Sequence, residues 1–338
     1  MSEAAPSLAD DRAAMIALVE RMGLAAASTV LSAEPLTGGV SSDIWLVRTA
    51  DGALVVKRPL EQLKVAAEWH APLDRGASEA AWLEFASQAV PGACPRVLAY
   101  DEDAFAIALE FLDPADHANW KTELLAGHVD AAFAEAVGTT LGRIHSASTH
   151  TPGLAERFDH ADFFESLRIE PYFERTAAAV PEARAAIAEI IASLRSTRLA
   201  LVHGDVSPKN ILLGESPVIL DAECATWSDP AFDAAFCLTH LSLKRLHLPQ
   251  HAAALAESAR RFEAGYLAQV DWELPSTIAA RIARLLPALM LARVAGASPA
   301  EYLEAPTRAL VRQLAIDALT SGRAIGDLIS EVEGARND

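Results

Sequence analysis

The 338-residue chain is 51% hydrophobic, enough to bury a large core, so a folded protein of one or two domains is expected. A formal charge of −18 repels duplex nucleic acid and anionic membrane over most of the surface, which leaves a small ligand as the expected partner. The acidic start MSEAAPSLADD lacks the basic-then-apolar order of a leader, and no apolar run reaches the roughly 18 residues of a membrane span. A cytoplasmic protein, monomer or homodimer, with no nucleic-acid or membrane partner is therefore expected.

Residues from about 10 to 23 have the periodicity of an amphipathic helix that stops at Gly23. The runs STVLSAEPL, SDIWLVRT and ALVVKRP follow, separated by turn signals at Thr37-Gly38-Gly39 and Asp51-Gly52, and predict a meander of antiparallel strands. SEAAWLEFASQAV predicts a helix, and PRVLAY and AFAIALEFL two more strands. Beyond Pro114 Ala-rich helical patterns dominate, interrupted between about 199 and 221 by ALVHG, NILLG and VILD. These patterns predict a small strand-rich lobe over residues 1–113, with a leading helix, and a larger helical lobe over 114–338. Cys94, Cys224 and Cys237 show no CxxC pairing and read as buried free thiols.

The densest chemistry lies in LVHGDVSPKNILLGESPVILDAE, residues 201–223. Asp205 follows a strand and Gly204, which presents its carboxylate at a loop tip. A turn at Gly214-Glu215-Ser216-Pro217 brings Asn210 and Asp221 to the same end of a hairpin, beside Asp205, with Glu223 close behind. Carboxylate and amide oxygens that share a metal with substrate phosphates suit Mg²⁺. Phosphoryl transfer needs little more than that and one carboxylate to orient the attacking hydroxyl.

His203-Gly204-Asp205…Asn210, Asp221-Ala222-Glu223 and Asp229-Pro230-Ala231-Phe232-Asp233 stand in the order and at the spacing that resemble the aminoglycoside phosphotransferase and choline kinase superfamily. The resemblance implies an α+β, two-lobed protein-kinase-like fold. It also implies an ATP- and Mg²⁺-dependent kinase acting on a hydroxyl of a small molecule. On that basis Asp205 is the catalytic carboxylate, Asn210 and Asp221 hold Mg²⁺, Glu223 assists, and His203 and Asp233 brace the loop. Lys57 would meet the α- and β-phosphates, fixed by Glu79 with Glu84 as the alternative partner. Gly38, Gly39, Ser41 and Ser42 would bring the backbone to the phosphates, and Glu110 and Leu112 would read adenine through main-chain groups.

The segment Trp69-His70-Ala71-Pro72-Leu73-Asp74-Arg75 and the Asp-x-Glu motif resemble methylthioribose kinases, whereas Asn210 fits the aminoglycoside and choline kinases better. The acceptor is thus expected to be aminoglycoside-, amino-alcohol- or methylthioribose-like. Arg293 interrupts an apolar helix where it could face the acceptor pocket and bind an anionic group. A nucleotide-binding regulator of the same fold is the rival reading. A protein kinase is disfavoured, because no DFG-to-APE activation segment fits between Asp221 and Asp233.

Overall fold

The computed structural model describes residues 8–36, 41–60, 62 and 72–337. Five antiparallel strands, β1 (Val30–Pro35), β2 (Ser42–Thr49), β3 (Gly52–Pro59), β4 (Val97–Asp101) and β5 (Ala106–Glu110), form one sheet in the order β1-β2-β3-β5-β4. Strand alternation decides what β3 presents to each side. Leu54 and Val56 join Met15, Leu18 and Val19 of the Leu8–Arg21 helix in one apolar cluster. Val55 packs on the opposite cluster with Ile107, Leu109 and residues of the Arg75–Ala89 helix. Lys57, two residues beyond Val55 and paired with Ile44 and Ile107 in register, follows Val55 to that side.

The remaining chain is largely helical. The Ala131–Thr149, Ala231–His247, Ala252–Leu267 and Pro275–Ala295 helices share the largest apolar core, and Ala305–Ser321 and Ile325–Asn337 close a smaller one behind them. Set into this helical mass are two small antiparallel ladders, β6 (Ala200–Val202) with β9 (Thr226–Ser228), and β7 (Ile211–Leu212) with β8 (Val218–Ile219). The apolar cluster under the five-stranded sheet continues through Trp82 and Leu83 to Leu201, Ile219, Ala222 and Ala225, so that sheet and ladders are held by one piece of core.

Two features depart from the periodicity of the sequence. β9 has only three residues, too few for alternation to show. Glu165–Glu174 is a π-helix with Pro171 inside it, and proline, lacking an N–H, cannot continue an α-helical ladder. No helix among the described residues is long and apolar enough to cross a membrane.

Candidate active site

The loop after β6 is fixed from below. Both carboxylate oxygens of the fully buried Asp233 accept main-chain hydrogen bonds, Oδ2 from His203 N–H at 2.7 Å and Oδ1 from Gly204 N–H at 2.8 Å, and His145 Nε2 lies 3.2 Å from Oδ2. Gly204 has φ of +80°, and a Cβ there would lie 2.7 Å from the Cβ of Cys224, so only glycine fits. His203 Nδ1 accepts from Asp205 N–H at 3.1 Å, which leaves Nε2 to donate to the Leu220 carbonyl at 3.0 Å. That is the neutral tautomer. Burial lowers the His203 pKa despite the carboxylates of Asp233, Asp205 and Asp221. Trp82 meets the ring edge-on, with centroids 4.8 Å apart. His203 and Asp233 are thus buried props of the loop. Asp233→Ala should cost about 3–5 kcal/mol, because it strands the loop amides and removes the histidine's partner. Urea unfolding of the variant measures this loss.

The Asp205 carboxylate faces two cations. Its Oδ2 is 3.2 Å from an Arg168 nitrogen and 3.1 Å from Lys209 Nζ. Arg168 is buried in the π-helix and also holds the carbonyls of Gly204 and Leu167. Asn210 donates through Nδ2 to the Asp205 carbonyl at 3.0 Å, and its own carbonyl accepts from Leu220 N–H at 2.8 Å. The other side-chain group of Asn210, Oδ1, is an acceptor by type. Asp221 lies one residue further on, with φ of +69°, a left-handed backbone that costs an aspartate roughly 1 kcal/mol or more.

Lys57 joins the sheet to this hairpin. Its ammonium is 2.7 Å from Glu79 Oε2 and 2.9 Å from Oε1, and it also bonds Asp221 Oδ1. Burial would lower the Lys57 pKa, but Asp221 and Glu79 override it and keep the ammonium charged far above the usual lysine range. Burial would likewise raise Asp221, yet Lys57 and Lys209 hold it below the carboxylate range. Burial pushes Glu79 up, against the pull of Lys57. Glu84, the alternative partner, stands elsewhere and lies 3.6 Å from Arg157.

The other expected site residues are placed as follows. Glu223 Oε2 is 3.1 Å from Nε of Arg75, a fully buried side chain that also donates to the carbonyls of Ser41 and Leu60 at 2.7 and 2.6 Å. Ser41 and Ser42 are buried at the start of β2. Gly38 and Gly39, like Trp69, His70 and Ala71, lie outside the described residues. Glu110 ends β5 with its N–H given to the Arg96 carbonyl at 3.0 Å, and Leu112 follows in irregular backbone. Among the described residues no group of three or more His, Cys, Asp or Glu is set to hold a metal by itself. Asn210 and Asp221 instead offer one amide and one carboxylate at the same hairpin end, the sparse oxygen set that suits Mg²⁺ shared with phosphates. The sequence reading missed Arg168 and Lys209, and named Arg75 without giving it a role at the site. Lys209 had a visible signal in its place beside Asn210, whereas Arg168 and Arg75 come from distant segments.

This is the layout of a protein-kinase-like fold, and comparison with known proteins agrees. The model of the phosphotransferase enzyme family matches residues 32–272, and the chain belongs to that family. Similar solved structures include an aminoglycoside phosphotransferase from Alicyclobacillus acidocaldarius, 14% identical, with a TM-score of 0.55 over 97% of this chain and 98% of that one. An ethanolamine kinase from Plasmodium vivax is also 14% identical, with a TM-score of 0.51 over 86% of this chain and 82% of that one. Aminoglycoside phosphotransferase APH(4)-Ia is 15% identical, with a TM-score of 0.52 over 92% and 98% of the two chains. None of the curated proteins compared matches the chain.

Proposed function

We propose that the protein is an ATP- and Mg²⁺-dependent kinase that moves the γ-phosphoryl group of ATP to a hydroxyl of a small molecule. The observation that supports this most is Lys57, held between Glu79 of the helix and Asp221 of the hairpin, with Asn210 and Asp205 at the same hairpin end. Residues 1–113 would carry the nucleotide, with main-chain groups of Glu110 and Leu112 at adenine and the segment around Ser41 and Ser42 over the phosphates. Residues 114–338 would carry the catalytic loop and the acceptor.

In this reading Asp205 accepts the hydrogen bond of the acceptor hydroxyl, orients its lone pair toward the γ-phosphorus and takes the proton as the new P–O bond forms. The bond from the γ-phosphorus to the bridging oxygen breaks and ADP leaves. Lys57 holds the α- and β-phosphates in line, and Lys209 offers positive charge beside the transferred group. Asn210 and Asp221 would hold Mg²⁺, with Glu223 assisting from its contact with Arg75. When bound, the ion would supply charge neutralisation of the triphosphate. A nucleotide-binding regulator would be free to lose one of Lys57, Asp205, Asn210 or Asp221, and all four are present and assembled.

The experiment is nucleotide-induced stabilisation. ATP at 100 times its Kd should stabilise the protein by about 2.7 kcal/mol with Mg²⁺ and clearly less with EDTA. A folded Asp221→Ala variant should lose the Mg²⁺-dependent part. Equal stabilisation with and without Mg²⁺ would refute the metal role.

A further inference from the structure

Asp233, Phe236, His240 and Lys244 follow one another at spacings of three and four along the Ala231–His247 helix, hence on one face. The stripe starts under the catalytic loop, where Asp233 holds His203 and Gly204, and runs about 16 Å along the helix to Lys244. Aromatic rings connect it to the reaction end. The Arg168 guanidinium lies 5.5 Å from the Tyr172 ring centroid and 5.8 Å from that of Phe236, and Phe236 lies 5.3 Å from the His240 ring. From the Pro275–Ala295 helix, Arg293 reaches Tyr172 Oη at 3.4 Å and Ser298 Oγ at 2.8 Å. Burial first, and then the positive charges of Arg293, Lys244, Lys209 and Lys121, push the His240 pKa well below the usual imidazole range.

Lys209 and Lys121 are bonded to Asp205 and Glu301, but Lys244 and Arg293 are bonded to no carboxylate among the described residues. Of the buried cations, Lys57, Arg75 and Arg168 are each paired with a carboxylate. Lys244, fully buried, and Arg293, 9% exposed, have none among the described residues. Lys244 Nζ and Arg293 Nε lack any hydrogen-bond partner there, as does the hydroxyl of Tyr302, whose ring lies 5.0 Å from Lys244 Nζ. Glu301, whose charge acts on Lys244, is already bound to Lys121. A ring face offsets only part of the cost of a buried ammonium. Burial, with Lys121 and Arg293 nearby, pulls the Lys244 pKa down to about 7. An anion brought to this end of the stripe would satisfy Nζ and hold it charged. In a chain of net charge −18, two buried cations near the catalytic loop that no carboxylate bonds are a built feature that an acidic surface does not explain.

We infer that the acceptor is an anionic alcohol, a small hydroxylated carboxylate or phosphate ester, whose charged group is bound by Lys244, Arg293 and His240 while its hydroxyl reaches Asp205. The inference rests on the kinase reading above. It departs from a cationic amino alcohol or aminoglycoside, which this cluster would repel.

The test uses the full chain saturated with Mg²⁺ and the non-transferable analogue AMP-PNP, titrated calorimetrically with inorganic sulfate. Saturable binding at one site is expected, weakened at least tenfold in Lys244→Met and in Arg293→Met, with AMP-PNP affinity unchanged. Lys244→Met should melt no lower than wild type, since it removes an unpaired buried cation. In parallel, ATP consumption is followed with glycerate and gluconate, with glycerol 3-phosphate and glucose 6-phosphate, with neutral glycerol and ribose, and with ethanolamine and kanamycin. Turnover confined to the first or the second pair identifies carboxylate or phosphate as the charged group. Absence of sulfate binding, binding that neither substitution affects, or preferential turnover of neutral or cationic alcohols overturns the inference while leaving the kinase reading standing. Failure of AMP-PNP to bind overturns both.

Discussion

Asp205→Asn should lower kcat by about two to four orders of magnitude while the Kd for nucleotide changes little. The expectation follows from where the carboxylate is placed. It is anchored through the Gly204 and Asp205 backbone and faces Arg168 and Lys209, not Lys57, which answers to Glu79 and Asp221. Nucleotide binding therefore runs through a different set of contacts. The asparagine keeps the shape of the side chain but cannot take a proton. Arg168 retains the Leu167 and Gly204 carbonyls in the variant, so the loop should stay in place. Steady-state kinetics alongside direct nucleotide binding checks this, and near-wild-type turnover would remove Asp205 from the reaction.

Lys57 and Glu79 should behave as one unit. Lys57→Ala removes the lysine that bridges sheet and hairpin, and leaves Glu79, 2% exposed, without its counter-charge. Losing one partner of a buried pair costs about 3–5 kcal/mol of stability, and the loss of phosphate positioning should lower kcat/KM by a comparable free energy. Glu79→Ala should be milder in turnover, because Asp221 still holds the ammonium. The double variant should then fall short of the summed losses by about 1 kcal/mol or more. Strict additivity, measured in kcat/KM and in unfolding free energy, would show that the two residues act separately.

Much of this arrangement was legible before the fold was seen, for a physical reason. Lys57 stands in a strand whose apolar neighbours fix the face of every residue by alternation, so its direction is a local property. Asn210 and Asp221 flank one hairpin, where a short turn enforces proximity, and Asp205 lies in the loop five residues before Asn210. Glu79 could be named because few acids lie on its helix, but choosing it over Glu84 was a matter of helix rotation, which packing decides. Arg168 could not be read in this way. It enters the site only because the chain around Pro171 winds as a π-helix, and nothing in the spacing of ESLRIEPYFE shows which way that turn aims its arginine. Arg75 is similar, since its buried bond to Glu223 joins segments 148 residues apart. The pair of carboxylate-free cations was half visible. Arg293 stands out in an apolar helix, but Lys244 looks like any basic residue near a helix end until its burial and lack of a partner are known.

The central claim is transfer of a phosphoryl group to an alcohol, and ³¹P NMR observes that event itself. The full chain is incubated with ATP, Mg²⁺ and a pool of small hydroxylated acids, phosphate esters, polyols and amino alcohols. A new phosphomonoester resonance should grow in step with ADP, and should be absent with Asp205→Asn under the same conditions. ATP that stays intact across the whole pool, or a resonance that forms equally well with Asp205→Asn, would contradict the assignment.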